Sequence, residues 1–349
     1  MKRKILTAAV LASSLSLPAF AADVIVFDPD GVGGANGDTA VVGFDWSPSS
    51  TMSDDSIPAT SPSSFDTYSH GTLVGFTDSA GDPAGAPTGI NTAGTGFEVT
   101  FISGFTETIT GLSTTTALLK NFGVDGAPGG GDDVYTYSQT ITLADAAVQT
   151  VNFFEVYYDD LSDGAGLKSS SLEGTGFGDG VLILSGDVVA VDGNFTTNFE
   201  FIDTNDSGGA FEDGVDTLSG LVLLDGNDAD NWAGQETVVG QGATALEADV
   251  TYQDNNFFKS NISSLMADLF FNTSNVLPFK ETNPSRLFDD GAGGTIAPVL
   301  GSVNGATGPD ILFQTDANNS FVTTVPEPGS MLLLGMGLFS LGMSKRRKA

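Results

Sequence analysis

Apolar and polar residues alternate with a period of two along much of this chain. The clearest stretch is residues 96–110, GFEVTFISGFTETIT, which puts Phe97, Val99 and Phe101 on one side and Glu98, Thr100 and Ser103 mostly on the other. That period marks a strand buried on one face, as in antiparallel sheets. β-branched and aromatic runs at 23–28, 40–46, 65–77, 134–143, 148–158, 194–202, 218–224, 246–252 and 311–315 predict further strands. Residues 181–191, VLILSGDVVAV, begin as an unbroken apolar run and predict a strand covered on both sides. Shorter strand candidates lie at 236–239 and 269–271, and residues 260–268 read as a helical turn.

Between these runs the chain is rich in Gly, Asn, Asp, Ser and Pro. Residues 30–38, 121–133, 203–216 and 225–231 read as turns and loops, and the Ser/Pro/Thr-rich stretch 47–64 as a long exposed connection. Many short strands with almost no helical periodicity predict an all-β fold, an antiparallel β-sandwich or a related form, with short helices only at the termini. No fixed-period repeat is present, which argues against solenoids and propellers. The body is expected to be one domain, 22–315, with 203–216 as the place for any subdomain boundary and 316–324 as a linker.

The two ends break the pattern. Lys2, Arg3 and Lys4 precede an apolar core, and Ala19-Phe20-Ala21 forms a small-residue cleavage site. Residues 1–21 therefore read as a signal peptide, cut after Ala21, which implies export. Residues 325–349 run VPEPGSMLLLGMGLFSLGMSKRRKA. Pro326 and Pro328 fix φ and donate no backbone hydrogen bond, so Pro326-Glu327-Pro328 is expected to be extended and accessible. The apolar run 331–343 has 13 residues. As a helix it would reach roughly 20 Å, short of the roughly 30 Å hydrocarbon core. Lys345, Arg346, Arg347 and Lys348 form a basic stop that stays on the cytoplasmic side. The tail thus reads as a transmembrane helix of marginal length behind an exposed hinge. It suits a transient membrane insertion that a membrane enzyme ends.

Without these ends the charge is more extreme. Residues 22–325 hold five basic residues (Lys120, Lys168, Lys259, Lys280, Arg286) against 43 acidic ones, a net charge of −38. Such a body repels nucleic acid and anionic lipid, and attracts divalent cations and basic surfaces. The chain has no cysteine, which excludes disulfides, thiol catalysis, Cys-ligated zinc and iron–sulfur clusters.

Candidate chemistry is sparse. His70 is the single histidine, so a Ser–His–Asp site would need it as base, and no G-x-S-x-G elbow accompanies it. Paired carboxylates can hydrolyse sugars, but with 44 acidic residues in the chain their abundance makes the signal nonspecific. Glu155, within the aromatic segment 153–158, stands out among them, and its plain reading is an outward strand position. Calcium fits the composition better, because it takes oxygen ligands from flexible acidic loops. Asp203, Asn205 and Asp206 open a D-x-N-x-S-G run that departs from a calcium loop at Gly214, where Glu is needed. Asp225 and Asp228 mark a second acidic loop. Asp and Asn also populate ordinary turns.

The order Pro-Glu-Pro, short apolar helix and Arg/Lys cluster resembles the PEP-CTERM sorting signal of exopolysaccharide-producing bacteria. In that family the membrane protease exosortase processes the tail and releases the protein to the cell surface or matrix. Residues 152–159 (NFFEVYYD), 179–186 (DGVLILSG), 254–259 (DNNFFK), 272–279 (NTSNVLPF) and 303–321 (VNGATGPDILFQTDANNSF) are similar to the flocculation-associated PEP-CTERM group. That resemblance implies a noncatalytic surface or matrix role, with exosortase as processing partner and exopolysaccharide as binding partner. The alternative is a secreted carbohydrate-binding or carbohydrate-cleaving protein, which exposed Trp46, Trp232 or the Tyr157–Tyr158 pair would support; these residues fit the core equally well.

Overall fold

In a computed structural model the structure describes residues 23–33, 37–54, 56, 62–78, 82–114, 118–121, 134–162, 168–170, 174–203, 221–224, 239–272, 288–296 and 311–323. The strands are β1 (Ile25–Phe27), β2 (Thr39–Val41), β3 (Gly43–Asp54), β4 (Ser63–Thr77), β5 (Pro83–Gly85), β6 (Phe97–Thr114), β7 (Leu118–Asn121) and β8 (Val134–Asp145). They continue as β9 (Asn152–Asp160), β10 (Val181–Asp203), β11 (Leu221–Leu224), β12 (Val239–Gln253), β13 (Ile262–Asn272), β14 (Phe288–Asp289), β15 (Thr295–Ile296) and β16 (Ile311–Thr323).

The expected antiparallel all-β architecture is present, in a form related to the sandwich: the main sheet closes on itself. Its path runs β4-β3-β16-β13-β12-β10-β9-β6, and β6 pairs back onto β4 with Thr100 opposite Thr72 and Ile109 opposite Ser63. Closure removes the unpaired edges that a strand of 15 residues such as β4 would otherwise expose. One stave is composite. β9 fills the gap between β6 and β10 at one end, and β8 fills it at the other. Between them the chain leaves the wall over residues 146–151, where Gln149 Oε1 accepts from the Thr106 amide at 2.9 Å and Thr150 donates to Asp66 Oδ1 at 2.7 Å.

The interior changes character along its axis. One end is aromatic: Phe44 contacts Phe27 and Phe321, both at 4.9 Å between centroids, Trp46 meets Phe101 at 4.8 Å, and Phe101 stacks on Phe154 at 5.3 Å. Each fully buried ring of this kind contributes about 2–3 kcal/mol through area removed from water. β1 lies across this end, clamped by Asp28 N to Phe257 O (2.7 Å) and Lys259 N to Val26 O (2.9 Å). Further along, hydroxyls replace the rings. Thr51 hydrogen-bonds both Ser69 and Thr315, and Ser53 approaches Thr67 at 3.4 Å.

This polar interior explains the largest departure from the sequence pattern. Residues 47–54, expected within an exposed connection, form the second half of β3, with Ser49, Ser50, Thr51, Met52 and Ser53 buried. Small hydroxyls that satisfy one another across strands can be buried without leaving an orphan polar group, yet their composition reads as loop. The polar side of β6 is covered too. Glu98 is fully buried and accepts from the Ser169 amide (2.8 Å) and hydroxyl (2.9 Å), so residues 168–170 close over a face expected to be wet. Residues 260–268 are not a helical turn; from Ile262 they belong to β13, paired with β12 and β16. Residues 316–323, expected as a linker, complete β16 between β13 and β3, where Phe321 is core. The runs at 181–191 and 194–202 are one strand, β10. The signal peptide, the loop residues 204–216 and 225–231, Trp232 and the C-terminal tail lie outside the described residues.

Candidate functional site

Two places in the fold bear on function. The first is the junction of the chain ends. β16 terminates at Thr323, and Asp23 lies beside it. The Thr323 amide donates to Asp23 Oδ2 at 2.9 Å, the Thr323 hydroxyl donates to the same oxygen at 2.8 Å, and the Asp23 amide donates to the Phe321 carbonyl at 3.0 Å. The donors of Thr323 hold the Asp23 carboxyl below its ordinary range. Asp23, just after the expected signal cleavage site, and Thr323, the last residue of β16 before the tail, are therefore pinned together.

The second place is a groove of about 580 Å³ on the outer face of β10, β12, β13, β16 and the adjoining part of β3. Register builds it. Asn194 opposes Ala243, Ala243 opposes Phe270, and Phe270 opposes Asp316, so these four residues make one row across four strands. Two residues along, Thr196, Gln241 and Gln314 occupy the next row of the same face, with Asn272 at the register position between the glutamines. Phe270 is 48% exposed, whereas its neighbour Phe271 is core. Burial raises the Asp316 carboxyl, and Asp45 nearby raises it further. Burial also raises Asp45 and Asp268, which stand on either side of Asn318 in the adjacent row. Among the described residues no lysine or arginine is in the lining.

The residues singled out in the sequence fare unevenly. Trp46, a candidate sugar platform if exposed, is 1% exposed and donates through Nε1 to Asn319 Oδ1 at 2.8 Å. His70 is buried, with Nδ1 2.7 Å from the Ser49 hydroxyl and its ring stacked on Phe177 at 3.9 Å. Glu155 accepts from the Tyr157 hydroxyl at 2.6 Å; burial raises its carboxyl, and Asp289 raises it further. Tyr158 is packed between Phe97 and Phe257. Of the calcium candidates, Asp203 ends β10 opposite Leu221, while Asn205, Asp206, Asp225 and Asp228 lie outside the described residues. Among the described residues no group of three His, Cys, Asp or Glu side chains could hold a metal ion. None of their helices is long and apolar enough to cross a membrane.

Sequence reasoning missed Phe270 and Glu107. Phe270 was readable from the alternation Leu265, Ala267, Leu269, Phe271 inward against Met266, Asp268, Phe270 outward, once 262–272 is one strand. Glu107 was readable from the same period, since it falls in line with the inward Phe97, Val99, Phe101, Phe105 and Ile109 of β6. It is buried inside the barrel, where Thr67 donates to Oε2 at 2.7 Å and Thr244, from β12, donates to Oε1 at 3.0 Å. Burial pushes its carboxyl up to about 7, against the lowering effect of the two hydroxyls.

Comparison with known proteins bears on the tail. Residues 324–348 match the family model described as the PEP-CTERM protein-sorting motif. No curated protein and no solved structure matches the chain. The match starts at the residue that follows β16. The chain carries a C-terminal PEP-CTERM sorting signal, which implies export, processing by exosortase and a place at the cell surface or beyond it.

Proposed function

We propose that this protein is a noncatalytic surface or matrix protein that promotes floc and biofilm formation by associating with exopolysaccharide. The observation that carries the reading is the sorting motif at 324–348, attached directly to the terminal strand of a closed barrel. The resemblance of body segments to flocculation-associated proteins points the same way. Burial of His70 beneath Phe177 favours a structural role for the one histidine over a hydrolytic one. Deleting the gene is expected to disperse flocs while exopolysaccharide is still secreted; flocs that persist unchanged overturn the proposal.

A divalent cation has a place in this reading, since bodies of net −38 crowded at one surface would repel one another without one. Calcium at millimolar concentration and fixed ionic strength then raises the melting temperature. The triple change of Asp203, Asn205 and Asp206 to Ala removes that rise if the first acidic loop is the site. A parent protein indifferent to calcium rejects the cation's part. The second reading, a secreted sugar-binding or sugar-cleaving protein, is favoured in its binding form by the exposed Phe270 in the groove.

A further inference from the structure

We infer that the groove centred on Phe270 binds an uncharged pyranose polysaccharide, and that its charge selects against uronate-bearing chains. This rests on the exopolysaccharide reading and names the surface and the sugar class. The row Asn194–Ala243–Phe270–Asp316 crosses four strands, a span of roughly 14 Å at the ~4.8 Å spacing of neighbouring strands. That accommodates two to three sugar rings laid across the sheet.

The chemistry of the lining fits such a ligand. A pyranose ring has an apolar face of C–H groups and a rim of hydroxyls that both donate and accept. Phe270, 48% exposed on a sheet whose inward side is full of buried rings, offers a flat apolar surface at the centre of the groove. Beside it stand the amides of Asn194, Gln241 and Gln314, the Thr196 hydroxyl and the Asp316 carboxylate. Amides and a carboxylate can each bridge neighbouring sugar hydroxyls, and a groove of this kind fixes orientation through a few polar groups around an apolar centre.

Charge settles the class. Asp316 is raised by burial and by Asp45, and among the described residues no lysine or arginine lines the groove. A uronate laid over Phe270 would bring a second carboxylate against Asp316, with no cation among the described lining residues to separate them, which costs binding. A neutral chain meets no such penalty, and its hydroxyls supply donors to the acid. The groove also lies toward the Asn272 and Ile311 ends of β13 and β16. The sorting tail leaves from the opposite end of β16, at Thr323. Attachment through the tail therefore leaves the groove directed away from the point of attachment.

The test uses mature protein recovered from cells, with affinity electrophoresis in gels containing laminarin, dextran, hydroxyethyl cellulose or polygalacturonate. The parent is expected to be retarded by at least one neutral glucan and to run freely in polygalacturonate. Phe270→Ala is expected to weaken the neutral-glucan interaction about tenfold, the scale of one aromatic contact. Met266→Ala, which removes an exposed outward side chain one row beyond Asp268 on the same strand, is expected to change nothing. Binding unaltered by Phe270→Ala, or weakened equally by Met266→Ala, overturns the groove. Binding of polygalacturonate as tight as that of the glucans overturns the charge argument. A parent that binds none of the polymers overturns this inference, whereas the wider reading falls only if gene deletion leaves flocs intact.

Discussion

Asp23 and Thr323 stand 300 positions apart in the chain, yet one carboxylate oxygen of Asp23 accepts from both the amide and the hydroxyl of Thr323. The contact joins the first described residue to the last strand residue before the sorting motif. Closing the barrel therefore brings the two ends of the mature body to one place. With a cut after Ala21 and another in the tail, both processing events would act on neighbouring points of the folded surface.

Removing that carboxylate should loosen the exit of β16. Asp23→Ala is expected to cost about 1–2 kcal/mol, the worth of hydrogen bonds to a charged acceptor at a partly exposed site. The effect should be local, seen as faster amide exchange at Phe321–Thr323 and unchanged exchange in β6. The Asp23 carboxyl is held below its ordinary value, so its contribution is present above the unfolded value and is lost as pH falls through the folded one. Parent and variant should converge in stability in strong acid. Equal exchange at Phe321–Thr323 in both proteins would contradict the clamp.

Glu107 has the opposite sign. Its carboxyl is raised from 4.5 to about 7, so the folded state holds a proton that the unfolded chain has released. That contribution is complete below about pH 4.5 and is lost as pH rises through 7. The change is on the order of 3 kcal/mol at ~1.4 kcal/mol per pKa unit. Glu107→Gln keeps the shape without a titrating group: its amide oxygen accepts from one of Thr67 and Thr244, and its NH2 donates to the hydroxyl oxygen of the other. Its melting temperature should exceed the parent's at pH 8, and the decline from pH 5 to pH 8 should flatten. A variant that melts lower than the parent at pH 8 would show that the charged form is the one the barrel stabilises.

Gly193 makes the Glu107–Thr244 contact possible. A Cβ there would lie 2.5 Å from the Thr244 hydroxyl oxygen and 3.1 Å from the Ala243 carbonyl. Gly193→Val should push Thr244 off the carboxylate and cost about 1–3 kcal/mol, as overpacking does. At pH 8, where Glu107 is charged, the cost should be smaller in the Glu107→Gln background, which leaves no charge uncompensated. A double-mutant cycle reads the difference, and strict additivity would mean that Gly193 acts through something else.

His70→Ala tests the noncatalytic reading. The change removes a buried ring stacked on Phe177 and should lower stability by about 2–4 kcal/mol. Cells producing folded, normally exported His70→Ala protein should still flocculate. Loss of flocculation with export and folding intact would revive a hydrolytic role for the Ser49–His70 pair.

The strands of the aromatic half were legible because Phe97, Val99 and Phe101 alternate with polar residues. The hydroxyl half was not. Thr51, Ser69 and Thr315 are buried against one another, and a Ser/Thr-rich segment carries no hydrophobic period to reveal it. Nor could alternation show that β6 returns to β4, since closure depends on register between distant strands. The sorting tail was fully legible, because its proline hinge, apolar run and basic stop work in linear order. Phe270 was hidden by the helical reading of the residues before it, and Trp46, left open between the surface and the core, is core.

On the proposed reading this barrel is exported and trimmed at both ends for the cell surface. Mass spectrometry of the intact protein stripped from the cell surface measures both termini on the same molecules. The account predicts a chain that begins at Ala22 and ends within residues 325–329, and release into the medium of a variant that lacks the tail. Surface molecules that mostly retain Ala349 would contradict it.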